Sequence, residues 1–554
     1  AAAGRVVYDW EVNTIMANVD GTHERMVAVV NGQLELPLAE AELGDMLAFR
    51  IRNGLKDEPT GLHSHGLFNN GTNYYDGAGM ITECGVAPGS ELTYEIPITQ
   101  TGTYWLHGHH NAQYINGLRW PLIVTDPNGE PYEYDEDVVL AFEDWFYNAS
   151  SMKMEKVIHK GDNMLRRDLS STTCTDSNSP AASSAAPSSL PNRKMDMGCE
   201  GNNCTAAATA TAAAPSDKNT DPAKKYPIGL VNRRSGKDPV HLYFEPGKTY
   251  RLRLLNIGST CMFRFGIEGH DMHVIEVDGV ATEKKKVNSV MLGVAQRVSV
   301  LVTARPDKSK NYRYHYDIFT DVFPQYPGYN PKEYSGSVVY DESAELAPRT
   351  DITWEEFDDL SLVPLNREPI LEPNVIHDAV ITVNRTSAEM VQAYINGVSF
   401  ELPETPSIFT ALSSPNTRAL NSSSFGEKTN AKVLQYMDIV ELRVANYDTV
   451  HHPMHLHGQF FQIAERGTIG DPSSAVKSSS TPMSRDTILV PPNSYAYLRF
   501  RADNPGAWLC HCHIELHMEL GLSMMFVTAP DVMQKEMRMP EAMVEQCRLM
   551  GMQI

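Results

Sequence analysis

Apolar and polar residues alternate with a period of two along most of the chain. RVVYDWEVN, DMLAFRIRN, ELTYEIPI and GTYWLHGH carry the alternation first, and LRWPLIVTD closes that stretch near residue 126. TYRLRLLNI, MHVIEVDG and RVSVLVTA repeat it in the middle; DIVELRVAN, FFQIAER, YAYLRFRA and MMFVTAP repeat it towards the end. Successive side chains of a strand point to opposite faces, so such runs suit half-buried strands. They are short, punctuated by Gly, Pro and Asn, and nearly free of helical periodicity, which predicts antiparallel β-sandwiches. The first and last stretches also share one order: strand, His-x-His, long loop, strand, then His-x-His or His-Cys-His. That order is an internal repeat of one sandwich design.

The pattern fails between about Ser170 and Lys225. SSTTCTDSNSPAASSAAPSSL and CTAAATATAAAPSD hold almost no large apolar residue and cannot offset their own ordering entropy, so they read as a surface insertion or O-glycosylated loop. Cys199 and Cys204 in GCEGNNC could close a small loop within it. A chain of 554 residues needs several domains, and 42% hydrophobic residues supply their cores. The formal charge of −22 argues against nucleic acid or an anionic membrane as partner. No apolar run reaches the roughly 18 residues of a membrane-spanning helix. The opening AAAGRVVYDW looks like a mature N-terminus after signal removal. Sequons at Asn70, Asn148, Asn203, Asn384 and Asn421 fit a glycosylated, secreted protein of the cell wall or medium. Eight cysteines are few for this length, so disulfides are staples on a fold with its own core.

Four short motifs carry the chemistry: HSH (His63, His65), HGH (His107, His109), HPMHLH (His452, His455, His457) and HCHIELH (His511, Cys512, His513, His517). Alternate strand residues share a face, so each His-x-His offers two imidazoles to one metal group. A single such pair is weak evidence, but ten of the 19 histidines fall in these four clusters. Imidazole-rich sites suit copper, zinc, iron or nickel, whereas two His and one Cys with a weak axial position make a blue-copper site. Cys512 lies between two histidines that occupy the opposite strand face. Its thiolate can hold one copper while His511 and His513 hold others behind it, which is an electron path.

On these motifs the chain resembles the fungal three-domain multicopper oxidases over nearly all its length outside the insertion. The resemblance implies an all-β fold of three cupredoxin-like Greek-key sandwiches, at residues 1–128, 129–345 (with the insertion at about 170–225) and 346–554. It implies four copper ions, with a trinuclear cluster between the first and third domains. His452, Cys512 and His517 correspond to the type 1 ligands, and His63 and His455 to the type 2 ligands. His65, His107, His109, His457, His511 and His513 correspond to the ligands of the type 3 pair. The axial position falls on Leu522, which cannot donate to copper and so raises the potential. Met518, Met524 and Met525 nearby read as core filler. Asp76 and Glu515 correspond to carboxylates that relay protons, although Asp76 would also suit an Asp-Gly turn. Cys84 and Cys547 correspond to a disulfide pair. With Cys512 committed to copper, at least one cysteine stays unpaired, and Cys510 is the candidate; the pairing of Cys174, Cys199, Cys204 and Cys261 stays open.

Dioxygen is the expected oxidant and a monomer the expected state. Among the reductants such enzymes use, the expectation is a laccase-like oxidation of phenols and aromatic amines, in a pigment-related branch of moulds. Fe(II) oxidation is the alternative, and a non-enzymatic blue-copper carrier the remote one. Asp448, four residues before His452, resembles an acidic residue of the iron-oxidising branch, because a hard cation needs carboxylate ligands. Against iron, the family's second carboxylate is replaced by Asp144 beside Glu143. Against a standard laccase, Gly258–Phe265 lacks the acidic residue that takes a phenol proton.

Overall fold

The computed structural model describes residues 4–19, 24–146, 227–319, 321, 333–387 and 390–554. The low-complexity stretch lies outside them, with Cys174, Cys199, Cys204 and the sequons at Asn148 and Asn203.

Six sheets pair into three sandwiches, as the recurring alternation implies. The first pairs Arg25–Val30, Arg5–Ala17, Met46–Asn53 and Glu91–Pro97 in one sheet with Ala39–Glu42, Arg119–Thr125, Gly102–His107 and His63–His65 in the other. Leu47, Phe49, Ile51, Leu92, Tyr94 and Ile96 from one face meet Leu106, Trp120, Leu122 and Val124 from the other. A six-stranded and a five-stranded sheet form the middle sandwich around Leu252, Leu254, Phe263, Phe265, Val298 and Val300. The last sandwich packs a seven-stranded sheet on a five-stranded one, the latter ordered Ala431–Leu434, Ser523–Thr528, Gly506–Cys512, His452–Leu456, Thr487–Val490.

The expectation of purely antiparallel sheets needs correction. Each of the six sheets contains one parallel pairing, such as Arg5–Ala17 with Met46–Asn53 and Ala431–Leu434 with Ser523–Thr528. A parallel pair needs a long crossover, here by way of the opposite sheet, and a period-two pattern carries no information about strand direction.

Buried ion pairs lock the sandwiches together. Arg297 of the middle sandwich donates through Nε to the carbonyl of Thr103 in the first (2.9 Å) and through Nη1 and Nη2 to Asp486 in the last (2.8 and 2.6 Å). Arg485 of the last donates back to Asp278 of the middle (2.8 Å). Asn73 and Ala507 exchange two hydrogen bonds of 3.0 Å between first and last.

The disulfide implied by the resemblance is present: Cys84 is bonded to Cys547, with Cα atoms 5.3 Å apart. It joins the first sandwich to the helix Glu541–Leu549, where Gln546 also accepts from Ala87 N (2.8 Å). Among the described residues Cys261, Cys510 and Cys512 form no disulfide, and all three are buried. Cys547→Ser should cost about 2–5 kcal/mol of stability and free the C-terminal helix for proteolysis. Thermal melts and limited digestion check both, and an unchanged melting temperature with an intact terminus would refute the role.

Candidate metal centre

Strand register places the four histidine motifs. His63 lies opposite His107 in one antiparallel pair, and His455 lies opposite His511 in another, with Met454 opposite Cys512. Both pairs therefore turn two imidazoles to one face, and Cys512 turns to the other. The two faces meet where the first and last sandwiches pack. His65, His107 and His513 each bring one ring nitrogen within 4.8 Å of the others, as do His109, His457 and His511; His63 and His455 converge with His65. On the far side of the strand, His452, Cys512 and His517 converge likewise.

Hydrogen bonds fix how these rings face. Nδ1 of His63 lies 2.6 Å from the carbonyl of Asp76, that of His107 3.0 Å from Gly108 O, that of His455 2.9 Å from Asp486 O and that of His511 3.0 Å from Cys512 O. A carbonyl only accepts, so each Nδ1 is protonated and each Nε2 presents a lone pair. The Nε2 atoms of His63, His107, His109 and His455 are buried without a hydrogen-bond partner among the described residues, an arrangement that costs about 1–3 kcal/mol per group unless something is bound there. His457 donates from Nδ1 to Asp76 Oδ2 (2.8 Å), so its Nε2 meets that of His511 lone pair to lone pair at 3.2 Å. Such a contact is repulsive without a cation. Burial pushes the imidazoles of His65, His107, His109, His455, His511 and His513 well below the usual value, and His457 down to about 4. They are neutral, as metal ligands must be. The donor set fits copper.

The second group is equally constrained. His452 donates from Nε2 to Asp448 Oδ2 (3.1 Å), which puts the lone pair on Nδ1, 3.4 Å from Cys512 Sγ and 3.2 Å from Nδ1 of His517. Leu522 continues the ladder opposite Cys512, whose N donates to Leu522 O (3.0 Å), and is fully buried in the same core cluster. Met524 is opposite Cys510, one pleat further on.

Asp76 does more than make a turn. Burial raises its pKa, but the pull and hydrogen bonds of His457 and His63 outweigh that and hold the carboxyl below its usual range. Glu515 opens the helix Glu515–Glu519; it is buried, its Oε1 has no partner, and burial raises its pKa well above the ordinary value. Asp448 is buried, accepting from Thr449 N (2.7 Å) besides His452. Asp144 and Glu143 are enclosed: Asp144 accepts from the backbone of Ser259, Thr260 and Cys261, and both pair with Arg119. Neither can face an incoming cation.

Two acidic residues escaped sequence reading. Asp486 lies 3.2 Å from His65 Nε2 and is clamped by Arg297. Asp321 Oδ2 accepts from His451 N (2.9 Å) and Nδ1 (2.5 Å), next to His452, and its side chain is about a quarter exposed at 23%. Both partnerships span over a hundred residues, and no local pattern announces them.

Models described as multicopper oxidase match residues 11–129, 136–335 and 400–532. The iron multicopper oxidase fer1 of Mycosarcoma maydis is 34% identical over 100% of this chain and 85% of its own. The crystal structure of Fet3p, described as a multicopper oxidase that functions in iron import, superposes with a TM-score of 0.82 at 28% identity over 99% of this chain and 96% of that one. The laccase of Botrytis aclada superposes with 0.74 at 26% identity over 100% and 93%. Other fungal relatives are named iron transport multicopper oxidases. These findings overturn the expected laccase-like oxidation of phenols and aromatic amines: the relatives are named for iron rather than for phenols or pigment. The histidine and cysteine motifs are common to both enzyme types, so they carried no information on the reductant.

Since Leu522 occupies the position opposite Cys512, Leu522→Met should bring a thioether to the copper there and lower its potential. Redox titration of the blue absorption checks this; an unchanged potential would show that residue 522 does not face the metal.

Proposed function

The chain belongs to the multicopper oxidase family, and within it we propose that this member oxidises Fe(II) and passes the electrons to dioxygen, making water. Its cofactor is four copper ions, one type 1, one type 2 and a type 3 pair. When bound, they supply a one-electron acceptor at the Cys512 thiolate and a three-ion centre where four electrons collect for dioxygen.

The observation that carries the iron reading is the 3.1 Å contact between Asp448 Oδ2 and His452 Nε2. It sets a hard oxygen donor on the outer edge of a type 1 imidazole, where Fe(II) needs one and where negative charge favours the Fe(III) product. Asp321 adds a second carboxylate, tied to the residue before His452. The relatives named for iron support the same reading.

We assign His452, Cys512 and His517 to type 1 copper and His63 and His455 to type 2. To the type 3 ions we assign His65, His107 and His513 on one side and His109, His457 and His511 on the other. Cys512 is peptide-bonded to one ligand of each trio, so electrons travel a few bonds from thiolate to cluster. Asp76 holds His457 in the ligating tautomer, and Asp76 and Glu515 are the carboxyl groups we assign to proton supply. Among the described residues no helix is long and apolar enough to cross a membrane. Asn70, Asn384 and Asn421 are exposed, in keeping with a secreted glycoprotein.

Asp76→Asn should keep copper and colour yet slow turnover more as pH rises, because an amide relays no proton; copper loss would mark Asp76 as a purely structural support. Asp448→Ala should cut kcat/KM for Fe(II) roughly 10- to 100-fold, about 1.4–2.8 kcal/mol, and cost an uncharged aromatic amine much less. Steady-state comparison of the two reductants decides; equal losses would reject an iron-specific role.

A further inference from the structure

Beside the metal centre a cleft of about 630 Å³ opens between the turn at Gly79–Cys84, the Met518–Leu520 segment and the C-terminal residues, with His109 in its wall. Four of its twenty wall residues are methionine (Met80, Met518, Met550 and Met552), against 25 in the 554 residues of the chain. Methionines that fill the core, such as Met524, Met525 and Met533, are fully buried; these four are half-buried and present surface to the cleft. The Cys84–Cys547 disulfide holds three of them together, since Met80 precedes one cysteine and Met550 and Met552 follow the other.

The wall also contains His110, adjacent in sequence to His109 but in none of the groupings of the metal centre. It is 7% exposed. Its Nε2 donates to Glu83 Oε1 (3.0 Å), and Glu83 is itself fixed by Tyr94 OH at 2.9 and 3.1 Å. Nδ1 is therefore a bare lone pair, and it takes no hydrogen bond among the described residues. Three glycines press on the ring: a Cβ at Gly61 or Gly85 would come within 2.5 Å of it, and one at Gly79 within 2.9 Å of Nδ1. A carboxylate on one nitrogen and a free second nitrogen is how metal-binding histidines are held. Thioethers with imidazole select Cu(I) over harder cations.

We propose that this cleft is a further copper site, in which His110 Nδ1 and the thioethers of Met80, Met550 and Met552 bind Cu(I) on its way to His109 and the trinuclear centre. The site rests on family membership and is independent of the reductant. Ag(I), soft and closed-shell, serves as the probe on copper-loaded enzyme. One Ag(I) per chain should bind beyond the four coppers in wild type. Binding should fall at least about tenfold in M80L/M550L/M552L, with colour and oxidase activity unchanged. Leucine conserves volume, so the variant keeps its fold. No additional ion in wild type, or undiminished binding in the variant, overturns the site. In copper-depleted protein supplied with chelated Cu(I), timed metal analysis should show uptake at least about tenfold slower in the variant, with the same four-copper endpoint; equal rates overturn the loading role.

Discussion

Two imidazole nitrogens, His457 Nε2 and His511 Nε2, face each other lone pair to lone pair at 3.2 Å in a buried interface. Four more imidazole nitrogens nearby have no hydrogen-bond partner among the described residues. No folded chain holds such an arrangement for its own stability, since each unpaired buried group costs free energy. It persists only if the scaffold over-determines the rings and a cation repays the cost. Metal binding is then part of the folding free energy.

The scaffold supplies that determination from several directions. Register alone turns His455 and His511, and His63 and His107, to common faces. Carbonyl acceptors set the tautomers, and Asp76 sets His457. Gly77, at φ 79°, brings the backbone so close to Leu62 that a Cβ would lie 2.1 Å from its carbonyl oxygen, which seats Asp76 against the His63 strand. The middle sandwich contributes no histidine to the centre, yet its Arg297 clamps Asp486, whose carbonyl and carboxylate hold His455 and His65. Its role is to aim rings that belong to its neighbours.

What the sequence made legible follows from range. The ten clustered histidines and Cys512 were visible because strand alternation makes ligand spacing local. The sandwich class was visible for the same reason, and the number three came from the family resemblance. Strand direction was not, because a parallel partner lies across a crossover and the alternation reads the same either way. Asp486, Arg297 and Asp321 were hidden because their partners are 130 to 421 residues distant. The reductant was misjudged on Asp144, whose position resembled an iron ligand's. In the structure that carboxylate is consumed by three backbone amides and Arg119, so its identity says nothing about the substrate.

Donor hardness divides the surroundings of the metal centre. On the His452 side stand carboxylate oxygens, Asp448 and Asp321, beside a mononuclear thiolate site. On the His109 side stand thioethers and an imidazole, in a cleft whose wall includes His109. Fe(II) is harder than Cu(I), so carboxylate oxygens favour the one and thioethers the other. Under the proposed iron reading, such a division would keep the substrate metal apart from the cofactor metal. Asp448 and His110 each hydrogen-bond a buried side chain, His452 and Glu83. In each case the second atom, Asp448 Oδ1 or His110 Nδ1, distinguishes the two. Asp448 Oδ1 accepts from Thr449 N, which holds the carboxylate in place against His452, whereas His110 Nδ1 takes no hydrogen bond among the described residues.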